Sequence, residues 1–188
     1  MMKKVILSLA IAVAVVFSMY GQNELSKDKV VLGAGVGIGT ALNIGRTVMP
    51  PIVFNGEYGI VDNLFDAHSS IGVGACIGFA AGRSYPYGNA NPYFLQRVNS
   101  VVIGVRGAFH YTFVDRLDTY GGIMLGGHMA NVRNEGVWAQ PYDPPGYGGF
   151  VGDIFLGTRY YVLPDFAVYG ELGFGVAYFT VGISYRIK

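Results

Sequence analysis

The residues of this chain that could carry chemistry are few and scattered. His68, His110 and His128 could act as metal ligands or as a general base, and His68 is followed by the hydroxyls of Ser69 and Ser70. A metal site needs ligands at recurring short spacings, and a nucleophile needs a base within hydrogen-bond reach. These histidines fall on three separate segments with no such spacing, so the expectation is no catalytic set, no metal site and no cofactor. The single cysteine, Cys76, excludes an intramolecular disulfide and any thiolate cluster. The run Gly33–Gly39, GAGVGIG, invites a dinucleotide-loop reading. Its glycines alternate strictly and never give the G-x-G-x-x-G spacing that opens a helix, so that reading fails.

A more coherent set is charged: Glu57, Arg106, Asp153, Arg159, Glu171 and Arg186. Its coherence shows only once the elements that hold it are placed. From Val30 to Leu42 every second residue is small and the intervening ones are apolar, which is the period of a strand. The same pattern returns across the chain. Counting by two gives eight strands, at Val30–Leu42, Pro50–Val61, Ala67–Gly82, Val98–Val114, Asp118–Ala130, Gly149–Val162, Phe166–Val176 and Phe179–Lys188. One face of each is apolar. The other is glycine-rich and carries all six of the charges, together with Asn55, His110, His128 and Ser184. Lone charges in a closed interior are costly, whereas paired and hydrogen-bonded ones are tolerated, and the planar fork of arginine meets carboxylates bidentately. A salt-bridged lumen is expected, with a gated polar path for ions as the alternative. Cys76 falls on the same inner face as an inert small residue.

Composition points the same way. The chain has 188 residues, 52% apolar and only 13% charged, with 29 glycines. A soluble domain usually carries about 25% charged residues. A net charge of +1 argues against nucleic acid as a partner and against electrostatic docking on anionic membranes. Met1–Gly21 reads as a cleaved secretory signal: Lys3 and Lys4, an apolar core at Val5–Phe17, then small residues, with the cut between Gly21 and Gln22. Gln22–Lys29 is a short polar lead, expected to be disordered, and the domain proper spans residues 30–188. No later stretch is long and apolar enough for a membrane-spanning helix, so a membrane protein must here be a barrel. The connections alternate long and short, apart from a minimal seventh near Ala177–Tyr178, as external loops and periplasmic turns do.

With an export signal, eight alternating strands and alternating connections, residues 30–188 resemble the small outer-membrane β-barrel family of the OmpA/OmpX type. The end of the chain, Thr180-x-Gly182-x-x-Tyr185-x-Ile187, looks like the signal read by the barrel assembly machinery, although Lys188 follows and Ile187 is not aromatic. The resemblance implies an eight-stranded antiparallel up-and-down transmembrane β-barrel in the outer membrane, with outer-membrane lipid and the assembly machinery as partners. Family members include adhesins, small pores and a few enzymes that modify lipid A with Ser and His near the outer rim. Ser69, Ser70 and His68 lie beside a short turn, at the wrong end for that chemistry. The loops offer Tyr85, Tyr87, Tyr93, Trp138, Tyr142 and Tyr147 as a recognition surface, since flat aromatics with polar tips give large contact areas. The expected role is envelope structure or surface recognition. A narrow porin is the alternative and a lipid-modifying enzyme a distant one. A soluble lipocalin-like barrel would turn the apolar face inward and leave Glu57, Arg106, Asp153 and Arg186 outside.

Overall fold

The computed structural model describes residues 24–85, 95–135 and 144–187. The expected signal segment, Tyr87, Tyr93, Trp138 and Tyr142 lie outside these residues. Eight strands form: β1 (Val30–Ile38), β2 (Arg46–Asp62), β3 (Ser69–Ser84), β4 (Gln96–Val114), β5 (Leu117–Asn134), β6 (Tyr147–Tyr161), β7 (Phe166–Leu172) and β8 (Phe179–Ile187). Each pairs antiparallel with the next. β1 also pairs with β8, from Val30 opposite Ile187 to Ile38 opposite Phe179, so the sheet closes into a barrel. Closure removes the unpaired strand edges that lipid could not hydrogen-bond. Among the described residues no helix is long and apolar enough to cross a membrane.

The two faces of the wall are inverted relative to a water-soluble domain. Ile154 is 72% exposed and Val105 67%, while Arg159 is 1% and Glu57 2% exposed. Leu32, Phe54, Ile77, Ile103, Leu125, Leu156, Val181 and Ile183 continue the outward apolar surface. On β4 the apolar outward positions run from Phe109 to Val101. At ~3.3 Å per residue and a tilt of ~40° they cover a height of about 20 Å, most of the ~25 Å band of a membrane barrel. The lipocalin-like alternative is thereby set aside, because it requires the opposite orientation of Glu57 and Arg106.

The glycine stripe of β1 faces inward, where each glycine makes room for a bulkier neighbour. A Cβ on Gly33 would stand 2.5 Å from Asn55 Oδ1, and one on Gly35 would stand 2.5 Å from the Tyr169 hydroxyl and 2.6 Å from Thr180 Cγ2. At the end of the stripe Gly39 adopts a left-handed φ of 67°, which turns the chain out of β1.

Four expectations about the elements are corrected. β2 does not begin at Pro50. It begins at Arg46 and carries both prolines within it, where its register with β3 shifts between Met49 and Ile52 because proline has no N–H for the ladder. β1 stops at Ile38 rather than Leu42, and residues 39–45 bring Leu42 and Ile44 into the interior. β7 ends at Leu172, and residues 173–178 form a connection that inserts Val176 and Ala177 into the lumen. Val176 fills the space that a side chain at Gly78 would need, its Cγ atoms lying 2.5 Å from that position.

The fourth correction concerns the polar lead. Residues 24–29 are folded into the mouth opposite the long loops. Leu25 is fully buried, and the lead is tied to the wall by the bonds from Asp28 N–H to Gly59 O and from Gly59 N–H to Lys29 O, both 3.0 Å. A polar composition concealed one apolar anchor.

The glycine contrast is directly testable. Gly33→Val or Gly35→Val is expected to lower stability by about 1–3 kcal/mol through overpacking. Gly127→Ala, at a position with open space around it, is expected to stay within about 0.5 kcal/mol. Thermal unfolding of the detergent-folded barrel measures both.

Candidate functional site

The inward charges meet because the register places them on shared rows. Glu57 on β2 lies opposite Gly74 on β3, which lies opposite Arg106 on β4. With no side chain at Gly74, the carboxylate and the guanidinium close over it, with Arg106 Nε 3.0 Å from Glu57 Oε1. Asp118 on β5 is directly opposite Arg159 on β6, and their charged groups are 2.9 Å apart. Arg159 Nη2 then reaches Glu57 Oε2 at 3.0 Å. Arg106 turns its other edge to Glu171, with contacts of 2.7 and 3.4 Å in a bidentate fork. His110 Nδ1 lies 3.0 Å from both oxygens of Asp118, and its Nε2 faces Glu57 at 3.8 Å.

The result is one chain of ions, Glu171–Arg106–Glu57–Arg159–Asp118, with the His110 ring set against its Asp118 end, which ties β2, β4, β5, β6 and β7 across the lumen. Each guanidinium also lies over an aromatic ring: Arg106 is 3.9 Å from the centre of Phe155, and Arg159 is 4.8 Å from that of Tyr120. The planar cation thus has carboxylates at its edge and a π-face beneath it, an arrangement that lysine cannot reproduce. Both arginines are held by carboxylates from two different strands, which makes the set a cross-strand brace. Asn55 Nδ2 donates to the Tyr169 hydroxyl at 3.3 Å, and His128 Nε2 lies 3.1 Å from Ser100 Oγ. Both contacts belong to the same polar lining. Ser184 is buried on the inner face of β8 and Cys76 on that of β3.

Comparison with known proteins finds similarity in structure alone. No protein-family model matches the chain, and no curated protein sequence does. Ail, the attachment invasion locus protein of Yersinia pestis, solved with the heparin analogue sucrose octasulfate, aligns with a TM-score of 0.50 at 11% identity, over 86% of this chain and 99% of that one. The N-terminal β-barrel domain of Pseudomonas aeruginosa OprF aligns with a TM-score of 0.50 at 12% identity, over 86% and 98%. The chain has the fold of the small outer-membrane β-barrels.

Within this barrel, two of the six charges expected in one network stand apart from it. Arg186 sits at the mouth that the lead fills. It contacts the Glu24 carboxylate and the Pro164 carbonyl, lies 3.4 Å from Asp165, and stacks 4.5 Å from the centre of Tyr161. Glu24 itself receives the Arg116 N–H at 3.2 Å and donates its own N–H to Thr112 Oγ1 at 3.3 Å. Asp153 faces inward, yet no cation among the described residues lies within salt-bridge distance of it. Its Oδ1 accepts the Phe174 N–H at 2.6 Å and so pins the inserted 173–178 connection. A period of two yields the correct face for both residues but not their height along the barrel, and height decides which charges meet.

Counting by two misses Asp118, because it falls at the expected start of a strand, and Glu24, because it falls in the lead. Phe155, Tyr120 and Tyr161 are legible as inward positions on β5 and β6, but nothing in their spacing pairs them with arginine. Ser69 Oγ is used within the turn before β3, where it accepts the Phe65 N–H at 2.9 Å. Of the loop aromatics, Tyr85 and Tyr147 are described, and the Tyr147 hydroxyl donates to Asn43 O at 2.6 Å. Tyr147, the first residue of β6, thus ties that strand to the β1–β2 connection at the outer end.

Removing one partner from a buried ion chain leaves the others uncompensated. Arg159→Ala and Arg106→Ala are each expected to cost about 3–5 kcal/mol. Tyr85→Ala is expected to change stability by less than about 0.5 kcal/mol. Chemical unfolding in lipid vesicles, comparing all three with wild type, provides the measurement; equal losses would contradict the brace.

Proposed function

We propose that this protein is an integral outer-membrane barrel whose lumen is closed to solutes and whose work is done at the outer rim, in envelope structure or surface recognition. The observation that supports this reading is that side chains from outside the strands are buried toward both ends of the described lumen. Glu24 and Leu25 occupy one, and Leu42, Ile44, Val176 and Ala177 occupy the other. Between them the ion chain spans the lumen. The cavity bordered by Arg106, Asp153, Glu171 and Thr180 measures about 20 Å³, room for about one water molecule and no solute. On this reading β8 is the strand presented during assembly. Thr180 faces inward, and Tyr185 and Ile187 face outward, 54% and 44% exposed, so a receptor could read the aromatic and terminal apolar side chains before lipid covers them.

Refolding the chain from Gln22 into liposomes and recording single-channel current tests the proposal. The expected result is no conductance above the lipid background for the full mature chain. Removing residues 22–29, which withdraws Leu25 and the Glu24 partner of Arg186, is expected to lower stability by about 2–5 kcal/mol, as the loss of a buried leucine does. Steady conductance in the wild type that changes in Arg106→Ala would identify a narrow porin instead. Failure of the wild type to insert at all would overturn the membrane reading.

A further inference from the structure

The net charge of +1 conceals a local concentration that only the strand register reveals. Arg46 on β2 is opposite Arg83 on β3, Arg83 is opposite Arg97 on β4, and Arg97 is opposite Arg133 on β5. Residues directly opposite in a sheet share a face, so four arginines form one row across four adjacent strands. At ~4.8 Å between strands the row is about 14 Å long. It faces outward, since the neighbouring Val98, Val132 and Gly82 are the buried, lumen-side positions, and all four arginines are exposed. Between the outer ends of β1 and β8 the sequence holds no other lysine or arginine on the long-loop side of Arg106 and Arg159.

Like charges directly opposite one another destabilise a sheet, so the row is a cost that the fold alone does not repay. Glu135 offsets part of it, at 3.6 Å from Arg83 and 3.4 Å from Arg97. Among the described residues no carboxylate lies within salt-bridge distance of Arg46 or Arg133. The height of the row indicates what could complete the balance. The last fully apolar row at this end is Phe79–Val101–Met129, followed by the mixed row Met49–Ala81–Asn99–Asn131 and then the arginines. Four residues beyond Val101, at ~3.3 Å per residue and a ~40° tilt, is about 10 Å above the hydrocarbon edge. The headgroup layer occupies roughly the first 5–8 Å beyond that edge, and an arginine side chain reaches several ångströms along the wall. Its planar fork suits phosphate.

We propose that the row Arg46–Arg83–Arg97–Arg133 is a binding site for the phosphate groups of outer-leaflet lipid, seated against the outer wall of β2–β5. The proposal rests on the outer-membrane reading above. Lipid is favoured over a soluble polyanion because the row stands on the outer, lipid-side face of the wall, continuous with the exposed apolar rows below it, and not on the lumen face.

The test places wild type and the triple variant Arg83→Gln/Arg97→Gln/Arg133→Gln in phosphatidylcholine nanodiscs. Retention of fluorescent lipid A, either bisphosphorylated or enzymatically dephosphorylated, is then measured by energy transfer from a dye on the rim. Wild type is expected to prefer the phosphorylated form by on the order of a hundredfold, and the variant to lose that preference, as removal of about one favourable contact for each of three basic residues implies. Circular dichroism and the heat-dependent gel shift of a folded barrel are expected to match between the two. Equal retention of both lipids by folded wild type overturns the proposal and leaves the membrane reading intact. Failure of wild type and variant alike to enter the nanodisc overturns both. If the variant keeps its lipid preference but loses binding of a soluble sulfated polysaccharide, the row belongs to a surface receptor and the lipid assignment is wrong.

Discussion

The interior of an eight-stranded barrel is only about as wide as the side chains that line it, and the organisation of this protein follows from that limit. Where a bulky residue points inward, its neighbour must be small. Gly33 yields to Asn55, Gly35 to Tyr169 and Thr180, and Gly78 to Val176. Water is largely displaced, so a charge on the inner face must find its partner in the protein. Glu57 therefore serves two arginines, and each arginine serves two acids. The same width makes the ends easy to close, since one leucine or one valine nearly fills the bore.

Charge in this lumen is distributed by height. The lower half, toward the lead, holds the ion chain and Arg186. The upper half is mainly apolar, with Ile44, Val98, Val102, Met124 and Val132 buried together, interrupted by the Ser100–His128 contact and by Asp153. Phe155 joins the two halves, stacking on Arg106 while packing among the apolar residues. A polar layer between an apolar layer and a sealed mouth is electrostatically coherent, because the charges lie where partners on five strands converge.

Much of the fold is legible in the sequence because a period of two is forced by the backbone itself. Once lipid and lumen are distinguished, each alternating segment can have only one orientation. That logic places Glu57, Arg106, Arg159 and Glu171 on the inner face. It cannot supply the stagger between strands, so it groups Asp153 and Arg186 with a network they do not join. Nor can it find the lead or the inserted connections, where burial rests on single residues such as Leu25, Ile44 and Val176 and no periodicity exists to read. The four rim arginines escape it for a related reason: they are far apart in sequence and become neighbours only through register.

The contact between Arg186 and Glu24 joins residues 162 positions apart in the chain, one just before the first strand and the other on the last. Its consequence is kinetic. Neither the seam between β1 and β8 nor the seal at that mouth can form until the C-terminal strand is available, so both belong to the final step of folding. Contacts of such sequence separation form slowly, because loop closure must be overcome before they contribute. An unfinished chain is thus an open sheet with an exposed charged interior, chemically distinct from the finished barrel.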